Sequence, residues 1–577
     1  MNDGGPDREH VQTSDRSSTE YGRKSSHELK PPTSTHMSTK NESQEYPMTW
    51  EVALLTLGLF LALFCVCLDA TILATAMPRI TDQFHSLEDI GWYSSSYLVA
   101  MASVKMLWGK LYTFYPSKWI FLSGLMIFEV GSLVCAIAPS SLVLILGRCI
   151  AGLGSSSIDS GAIIIITTIV PLSKRAIYMS ILGSVRGITA AAGPLLGGLL
   201  TDKISWRWCF YINLPCGFGT FICVFFFLSN KIKPSSYGLS AKEKLKRFDI
   251  IGSCLFIPGV VTLLVALQSG GTIYPWDNWR VILLFTLSGL LIIAFIISQA
   301  WIQDDALLPP RVMRNRNMIA ALWYVSMSTA ALYIIIYYLP VWFQAIKKST
   351  AAQSGTMLLP TEVGIVVFAL LGGLLVTRAG YYTPFLILSS MATSTGSGLL
   401  SSLQPNSGIG KWLGYQVLLS AGAGFGAQNA LLVPQVALVP DDIVTGITVL
   451  TFAQILAGSV ALAIGESIFQ GRLNANLKAV TSTMKDPLEL TGATVPWDQI
   501  PAGSVGAVLS AYNRSICQTF YLAVAMFALS FVGAIALEWK SIKSPQHTDS
   551  STETSGDPTN LPEKSNTNDP GGPILSA

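Results

Sequence analysis

LFLALFCVCLDATILATAMPRI, residues 59–80, is apolar almost throughout and decides the fold class of the chain. An α-helix needs about 20 mostly apolar residues to cross the hydrocarbon core of a bilayer, and this stretch is long enough. Its one carboxylate is Asp69, and a charged side chain deep in a membrane helix costs at least about 2.5–3.5 kcal/mol. The stretch therefore predicts a membrane span in which Asp69 faces a partner or a cavity.

The apolar character extends over the whole chain of 577 residues. Half of the residues (50%) are hydrophobic and only 12% are charged, with a mean hydropathy of +0.49. Soluble domains are about one quarter charged, so this composition indicates an all-α polytopic membrane protein. The formal net charge of +3 is small and spread out, which argues against a nucleic-acid partner.

Fourteen apolar stretches are long enough to cross a membrane. An even number places both chain ends on one side, and the dense run of Lys and Arg in 231–247 predicts that this side is the cytosol. The predicted spans are 50–78, 91–112, 119–138, 142–169, 176–200, 207–228, 249–268, 280–301, 318–345, 353–376, 383–402, 412–438, 443–468 and 516–538.

Three polar segments lie outside these spans. Residues 1–48 and 540–577 are too poor in apolar groups to fold alone, so we predict disordered cytosolic tails. The segment 470–514 would be a long outer loop, and its Asn-Arg-Ser sequon makes Asn513 a candidate for glycosylation.

Motifs for nucleotide hydrolysis, redox chemistry and metal binding are missing from the sequence. Gly-Lys occurs at Gly109-Lys110 and Gly410-Lys411, but neither pair is followed by the Ser or Thr of a phosphate-binding loop. The nine cysteines lie in or beside apolar runs without ligand spacing, and no two of the five histidines are spaced to bind a metal. We therefore expect a secondary transporter and not an enzyme, with no cofactor, metal ion or nucleotide.

Residues 187–217, GITAAAGPLLGGLLTDKISWRWCFYINLPCG, carry Gly193-Pro194-x-x-Gly197-Gly198 in the fifth span. This pattern resembles the antiporter motif of the major facilitator superfamily. The WRWCFYINLP that follows is typical of its fourteen-span drug:proton antiporters, especially the fungal multidrug and toxin efflux pumps. Further matches, from about Trp50 to Trp539, are LDATILATAMPRI (68–80), FEVGSLVCAIAP (128–139), LGRCIAGLG (146–154) and GGTIYPWDNWRVI (270–282).

The resemblance implies a major facilitator fold of two six-helix bundles plus two inserted helices. The first bundle would occupy 49–230, a linker with the two extra helices 231–316, and the second bundle 317–539. The bundles would enclose a central cavity and rock to open it to each side in turn.

Two positions depart from the family pattern. In GKLYTFYPSK (109–118), Thr113 stands where the family usually has an aspartate, so no charge relay is expected at that loop. Thr189 stands in place of an earlier glycine of the antiporter motif.

Asp69 and Arg148 are predicted to lie at similar depths in spans one and four. At 1.5 Å per residue, Asp69 is about 15 Å and Arg148 about 10 Å below the outer surface. An apolar environment favours the neutral carboxyl and a nearby cation favours the charged form, so a carboxyl between both influences can bind and release a proton. We expect Asp69 to couple transport to protons and Arg148 to tune it, the roles that the resemblance also implies. The alternative is a static ion pair.

Asp159 in span four and Arg186 in span five both lie about 15–17 Å from the inner surface, on consecutive helices. They are predicted to form a buried ion pair, with Lys105 of span two as a competing partner, because a lone buried charge costs far more than a paired one. We expect this pair to be structural.

The Gly193-Pro194-x-x-Gly197-Gly198 segment has a backbone explanation. Pro194 removes a helix hydrogen bond and bends the span, and the glycines allow a neighbouring helix to approach closely, which would resist leakage of protons or ions. Ordinary close packing is the alternative.

Polar side chains of the second bundle are candidates for the substrate cavity. Amides beside aromatic rings suit bulky, partly polar organic molecules, although bonding between helices is the commoner use of a membrane amide. The candidates are Glu362, Gln344, Gln428 and Gln454.

The sequence therefore favours a proton-coupled exporter of small organic compounds, such as a secondary metabolite, mycotoxin or drug, at the plasma membrane. Its partners would be the cargo, protons and the lipid bilayer. Two alternatives stay open: a vacuolar carrier of basic amino acids or a siderophore carrier, and a non-transporting membrane receptor or scaffold.

Overall fold

The computed structural model describes residues 48–86, 89–228, 247–271, 274–481 and 505–543. Within these ranges the chain is helical apart from short connections and two isolated β-bridges. The predicted tails 1–48 and 540–577 lie almost wholly outside the ranges, as does most of the basic run 231–247, so the disorder of the tails stays a prediction.

Eighteen α-helices occupy the described ranges. They are α1 (Thr49–Phe84), α2 (Ile90–Ser103), α3 (Lys105–Phe114), α4 (Ser117–Ala136), α5 (Ser141–Ile169), α6 (Leu172–Lys203), α7 (Trp208–Tyr211), α8 (Asn213–Phe227), α9 (Ile250–Ser269), α10 (Trp279–Ile302), α11 (Pro310–Met313), α12 (Arg316–Lys347), α13 (Ala351–Ala379), α14 (Thr383–Ser401), α15 (Ile409–Ala427), α16 (Val433–Ala437), α17 (Ile443–Thr481) and α18 (Val505–Ala536).

Helices are present at all fourteen predicted span positions, and twelve stretches of the described ranges, one of them joining α7 to α8, are long and apolar enough to cross a membrane. The second predicted span, which is divided at Val104 into α2 and α3, is not among them. The eleventh, α14, is rich in Ser and Thr, which lowers its apolar character. The membrane-spanning α-helical fold is thus established, whereas the count of fourteen spans stays a prediction.

Helices extend into the predicted outer loop 470–514 from both sides, and its outer location stays a prediction. Helix α17 continues to Thr481 and helix α18 begins at Val505, so at most the intervening segment 482–504, which lies outside the described residues, can be loop. The predicted span 443–468 is shorter than the helix because hydropathy marks only the apolar part, and a helix can continue in polar residues beyond the bilayer.

Helix packing forms two groups and one pair. In the first half, α1 packs against α6 and α8, and α5 packs against α2 and α4. In the second half, α12 packs against α17 and α18, and α15 packs against α13 and α14. Between the halves in the chain, α9 and α10 pack against each other.

Asp249 anchors the α9–α10 pair. It caps α9 by accepting from Gly252 N at 2.7 Å, and its second oxygen accepts from Gln299 Nε2 and Leu307 N, both at 2.7 Å. Lys110 of α3 donates to the carbonyl of Ala306 at 2.7 Å, which ties the end of α10 to the first half.

The two halves meet at the helix ends that the sequence predicts to face the cytosol. Gly373 of α13 lies against Ser180 of α6, where an added Cβ would collide with the hydroxyl. Gly109 of α3 lies in the same way against Thr448 of α17. Arg175 Nη1 donates across the halves to Gln435 Oε1 at 3.4 Å. The structure is therefore closed at these ends.

Candidate functional site

Asp69 and Arg148 form a buried ion pair between α1 and α5. Arg148 Nη1 donates to Asp69 Oδ2, and both side chains are about 1% exposed or less. Two opposite charges in a low-dielectric interior attract strongly, but each loses its hydration, so such a pair persists only when its remaining polar atoms are also satisfied.

Neighbouring groups supply those further contacts. Asn213 Nδ2 lies 3.4 Å from Asp69 Oδ1 and 3.2 Å from Ser132 Oγ. Arg148 Nε donates to the Tyr93 carbonyl at 2.9 Å, and the Arg148 guanidinium lies 4.3 Å from the ring centroid of Tyr97. The sequence prediction missed Asn213, although a buried amide within the quoted WRWCFYINLP was a usable signal.

A second charged cluster surrounds Asp159 of α5. Lys105 Nζ lies 2.5 Å from Asp159 Oδ2, and Arg186 Nη2 of α6 lies 3.0 Å from Asp159 Oδ1. From the sequence we expected Lys105 and Arg186 to compete for Asp159, but each cation contacts a different oxygen of its carboxylate. We call Lys105, Asp159 and Arg186 the open cluster, because Lys105 and Asp159 are buried while the Arg186 side chain is 52% exposed.

The antiporter-like segment brings α6 against α1 at two of its glycines. An added Cβ at Gly193 would collide with Thr71, and one at Gly197 would collide with Thr75. Thr71 Oγ1 also donates to the Thr189 carbonyl at 3.2 Å. The third glycine, Gly198, has no atom near its Cβ position, so close packing does not explain it. Helix α6 continues through Pro194 without interruption, and a bend there stays a prediction.

Two of the four predicted cavity residues, Gln428 and Glu362, lie against neighbouring turns of α6, at Gly183 and Gly187. Gln428 lies against Gly183 of α6, on the wall of a small cavity that also includes the open cluster residues Asp159 and Arg186. Glu362 and Gln454 are buried in α13 and α17. Gln344 donates to Ser354 Oγ at 3.1 Å and so links the end of α12 to α13.

Asn513 is a poor acceptor for glycosylation. It lies inside α18, its Oδ1 accepts from Trp342 Nε1 at 2.7 Å, and its Nδ2 donates to the Leu403 carbonyl at 3.0 Å. The nitrogen that would carry a sugar is therefore engaged within the protein, which speaks against the sequence prediction.

The second half contains further polar groups, on α12 and α17, that the sequence analysis did not predict as site residues. Glu466 of α17 accepts from Tyr338 Oη at 2.8 Å and from Gln470 Nε2 at 2.9 Å. Tyr333 and Tyr337 are one turn apart on α12, and both are about half exposed. Within the described part of the chain, no group of His, Cys, Asp and Glu is arranged to hold a metal ion.

Comparison with known proteins identifies the family. The model of the Major Facilitator Superfamily matches residues 59–465. The chain belongs to this superfamily. The matched range covers most of the chain, and members of the superfamily move small organic substrates across membranes.

Two fungal relatives resemble this superfamily member closely. It is 49% identical to the MFS-type transporter ungB of Aspergillus violaceofuscus over 511 residues, 89% of this chain and 93% of the relative. It is 47% identical to the efflux pump roqT of Penicillium rubens over 508 residues, 87% of this chain and 93% of the relative.

A solved structure supports the fold. The human organic anion transporter MFSD10 (TETRAN) superposes with a TM-score of 0.53, covering 82% of this chain and 99% of that one. At 14% sequence identity, the similarity establishes the major facilitator fold and nothing about the cargo.

Proposed function

We propose that this multi-pass membrane protein is a proton-coupled efflux pump that exports small organic compounds. The relatives named as efflux pumps support export. The observation that carries proton coupling is the Asp69–Arg148 ion pair, because an ionisable group that is buried inside a membrane protein is functional by default.

The contacts around Arg148 suit a pair that separates and re-forms. When Asp69 gains a proton, its attraction for the guanidinium falls, and Arg148 is then held by the Tyr93 carbonyl and the Tyr97 ring. Helices α1 and α5 could then shift without leaving a cation entirely without partners. Loss of the proton restores the pair, which links protonation to the arrangement of the first half.

The proposal includes an architecture. Bundles 49–230 and 317–539 would alternate around a central cavity, with the linker 231–316 holding the two inserted helices. Both termini would lie in the cytosol and the protein in the plasma membrane, the vacuolar membrane being the alternative. The cargo would cross chemically unchanged, driven by the proton gradient and not by catalysis.

Proteoliposomes with an acidic lumen test this function. The purified full chain is expected to concentrate at least one of two xanthene dyes, fluorescein or rhodamine 6G, and nigericin, which collapses the pH gradient, is expected to stop the uptake. Dye content is measured after the vesicles are disrupted at a fixed pH. Uptake of neither dye, or unchanged uptake without a gradient, would refute the proposal.

Asp69→Asn is expected to reduce gradient-driven uptake to the level of empty vesicles, because the variant carries no titratable group at this position. Asp69→Asn/Arg148→Gln is expected to be equally inactive while leaving no unpaired cation. Asp202→Asn is the matched control, since Asp202 is exposed and its ion pair with Arg79 is 4.0 Å long. Near-normal gradient-driven uptake by the Asp69 variants would exclude the coupling role.

A further inference from the structure

The open cluster carries more positive than negative charge. Asp159 can balance one cation, and Lys105, whose side chain has no exposed surface, depends on it most. Arg186 therefore provides the surplus charge of about one unit, because an arginine remains protonated in proteins.

Arg186 is accessible although it lies in the middle of α6. Its side chain is 52% exposed, and it shares with Gln428 of the second half the wall of a cavity of about 20 Å³, room for about one water molecule. The accessible guanidinium therefore lies beside the second half and is not sealed within the first.

An aromatic ring completes this region from the other half. Tyr333 of α12 lies within electrostatic range of Arg186, and this residue is 43% exposed. The ring packs over the bare backbone of Gly458, where an added Cβ would lie 3.0 Å from it. A cation of the first half and an aromatic residue of the second half thus lie near each other, and both are partly exposed.

Among the described acidic side chains, Asp159 is the one that pairs with Arg186. The backbone carbonyl of Glu362 lies against Gly187, the residue after Arg186. The carboxylate of Glu466 accepts hydrogen bonds from Tyr338 and Gln470. Asp159 is therefore the carboxylate that directly contacts Arg186 in the described structure.

We propose that Arg186 binds the carboxylate of an organic anion and that Tyr333 contacts the apolar body of the same molecule. The inference rests on the proposed function and specifies its cargo class. A guanidinium presents paired N–H donors that match a carboxylate, and such charge-assisted bonds are strong in a low-dielectric cavity. The same surplus charge would repel a basic amino acid, which disfavours that alternative.

Dye binding to the purified full chain in detergent micelles tests the assignment independently of transport. Fluorescein is anionic and rhodamine 6G is a cation on a similar xanthene frame, so fluorescence anisotropy is expected to show tighter binding of fluorescein. Arg186→Gln is expected to weaken fluorescein binding by about 10- to 100-fold, the value of one charge-assisted hydrogen bond, and to leave rhodamine 6G unchanged or tighter. Arg186→Lys, which keeps the charge, is expected to weaken fluorescein binding less than Arg186→Gln does.

Two outcomes would overturn the inference: no preference of the wild-type chain for fluorescein, or an Arg186→Gln variant that binds fluorescein within about threefold of wild type. If Arg186→Gln does not fold, the double variant Lys105→Met/Asp159→Asn tests the assignment instead, because it keeps the charge of Arg186. This double variant is expected to bind fluorescein at least as well as wild type, and a tenfold loss would contradict the assignment.

The transport assay separates this failure from failure of the proposed function. Gradient-driven uptake of rhodamine 6G without fluorescein uptake or binding would leave the pump intact and refute the anion site. Arg186-dependent fluorescein binding without gradient-driven uptake of either dye would support the site and refute the pump.

Discussion

The two charged clusters of the first half differ in balance and in access. Asp69 and Arg148 are one anion and one cation, both sealed from solvent. The open cluster has two cations on one carboxylate, and Arg186 is half exposed. In the proposed mechanism the balanced, sealed pair responds to a proton, whereas the unbalanced, accessible cluster binds an ion. We therefore assign different tasks to the same residue types according to their stoichiometry and exposure.

The largest stability effect is expected at the sealed pair. Asp69→Asn should lower the free energy of unfolding by about 3–5 kcal/mol, because Arg148 remains charged and buried without a carboxylate. Asp69→Asn/Arg148→Gln should recover most of this loss, although it does not recover transport. Thermal unfolding followed by tryptophan fluorescence measures both. Equal stability of the single variant and wild type would mean that the pair is not sealed as described.

A smaller effect is expected at the open cluster. Asp159→Asn leaves Lys105 unpaired, but a lysine can give up its proton and Arg186 already reaches solvent, so the loss should be less than for Asp69→Asn. Adding Lys105→Met should restore stability in the same unfolding measurement. If Asp159→Asn were the more damaging change, the contrast in access between the clusters would be wrong.

The smallest change in stability, with a specific functional defect, is expected beside the sealed pair. Gly193→Leu would push α6 away from Thr71, only two positions from Asp69 in α1, and should let protons leak through proteoliposomes without cargo. Gly198→Leu is the matched control, because its Cβ position is open. A pH-sensitive dye trapped in the lumen measures the leak, and similar leaks in both variants would remove the packing explanation.

Depth along a helix could be predicted from the sequence, but rotation about the helix axis could not. A rise of 1.5 Å per residue placed Asp69 near Arg148, and the structure shows them in direct contact. The same arithmetic could not choose between Lys105 and Arg186 for Asp159, since the choice depends on which faces of three helices converge. The exposed fraction of each side chain could not be predicted either, so the surplus charge of Arg186 was recognised only in the structure.

The apolar pattern identified membrane segments but not the full helices that contain them. It ended the thirteenth span before Arg472, although the helix continues to Thr481. It also placed Asn513 in a loop, although that residue lies in α18 and accepts a hydrogen bond from Trp342 of α12. In both places polar side chains continue a helix that tertiary contacts stabilise, and hydropathy alone does not detect such contacts.

The break at Val104 has a mechanical consequence. The short helix α3 that follows contains Lys105 of the open cluster and, one turn later, Gly109, which packs against Thr448 of the other half. In the proposed alternation of the two bundles, separation of the inner ends would move this ten-residue segment and change the contact of Lys105 with Asp159. Loading of the cavity and parting of the inner ends would then be thermodynamically linked, each biasing the other by the same free energy.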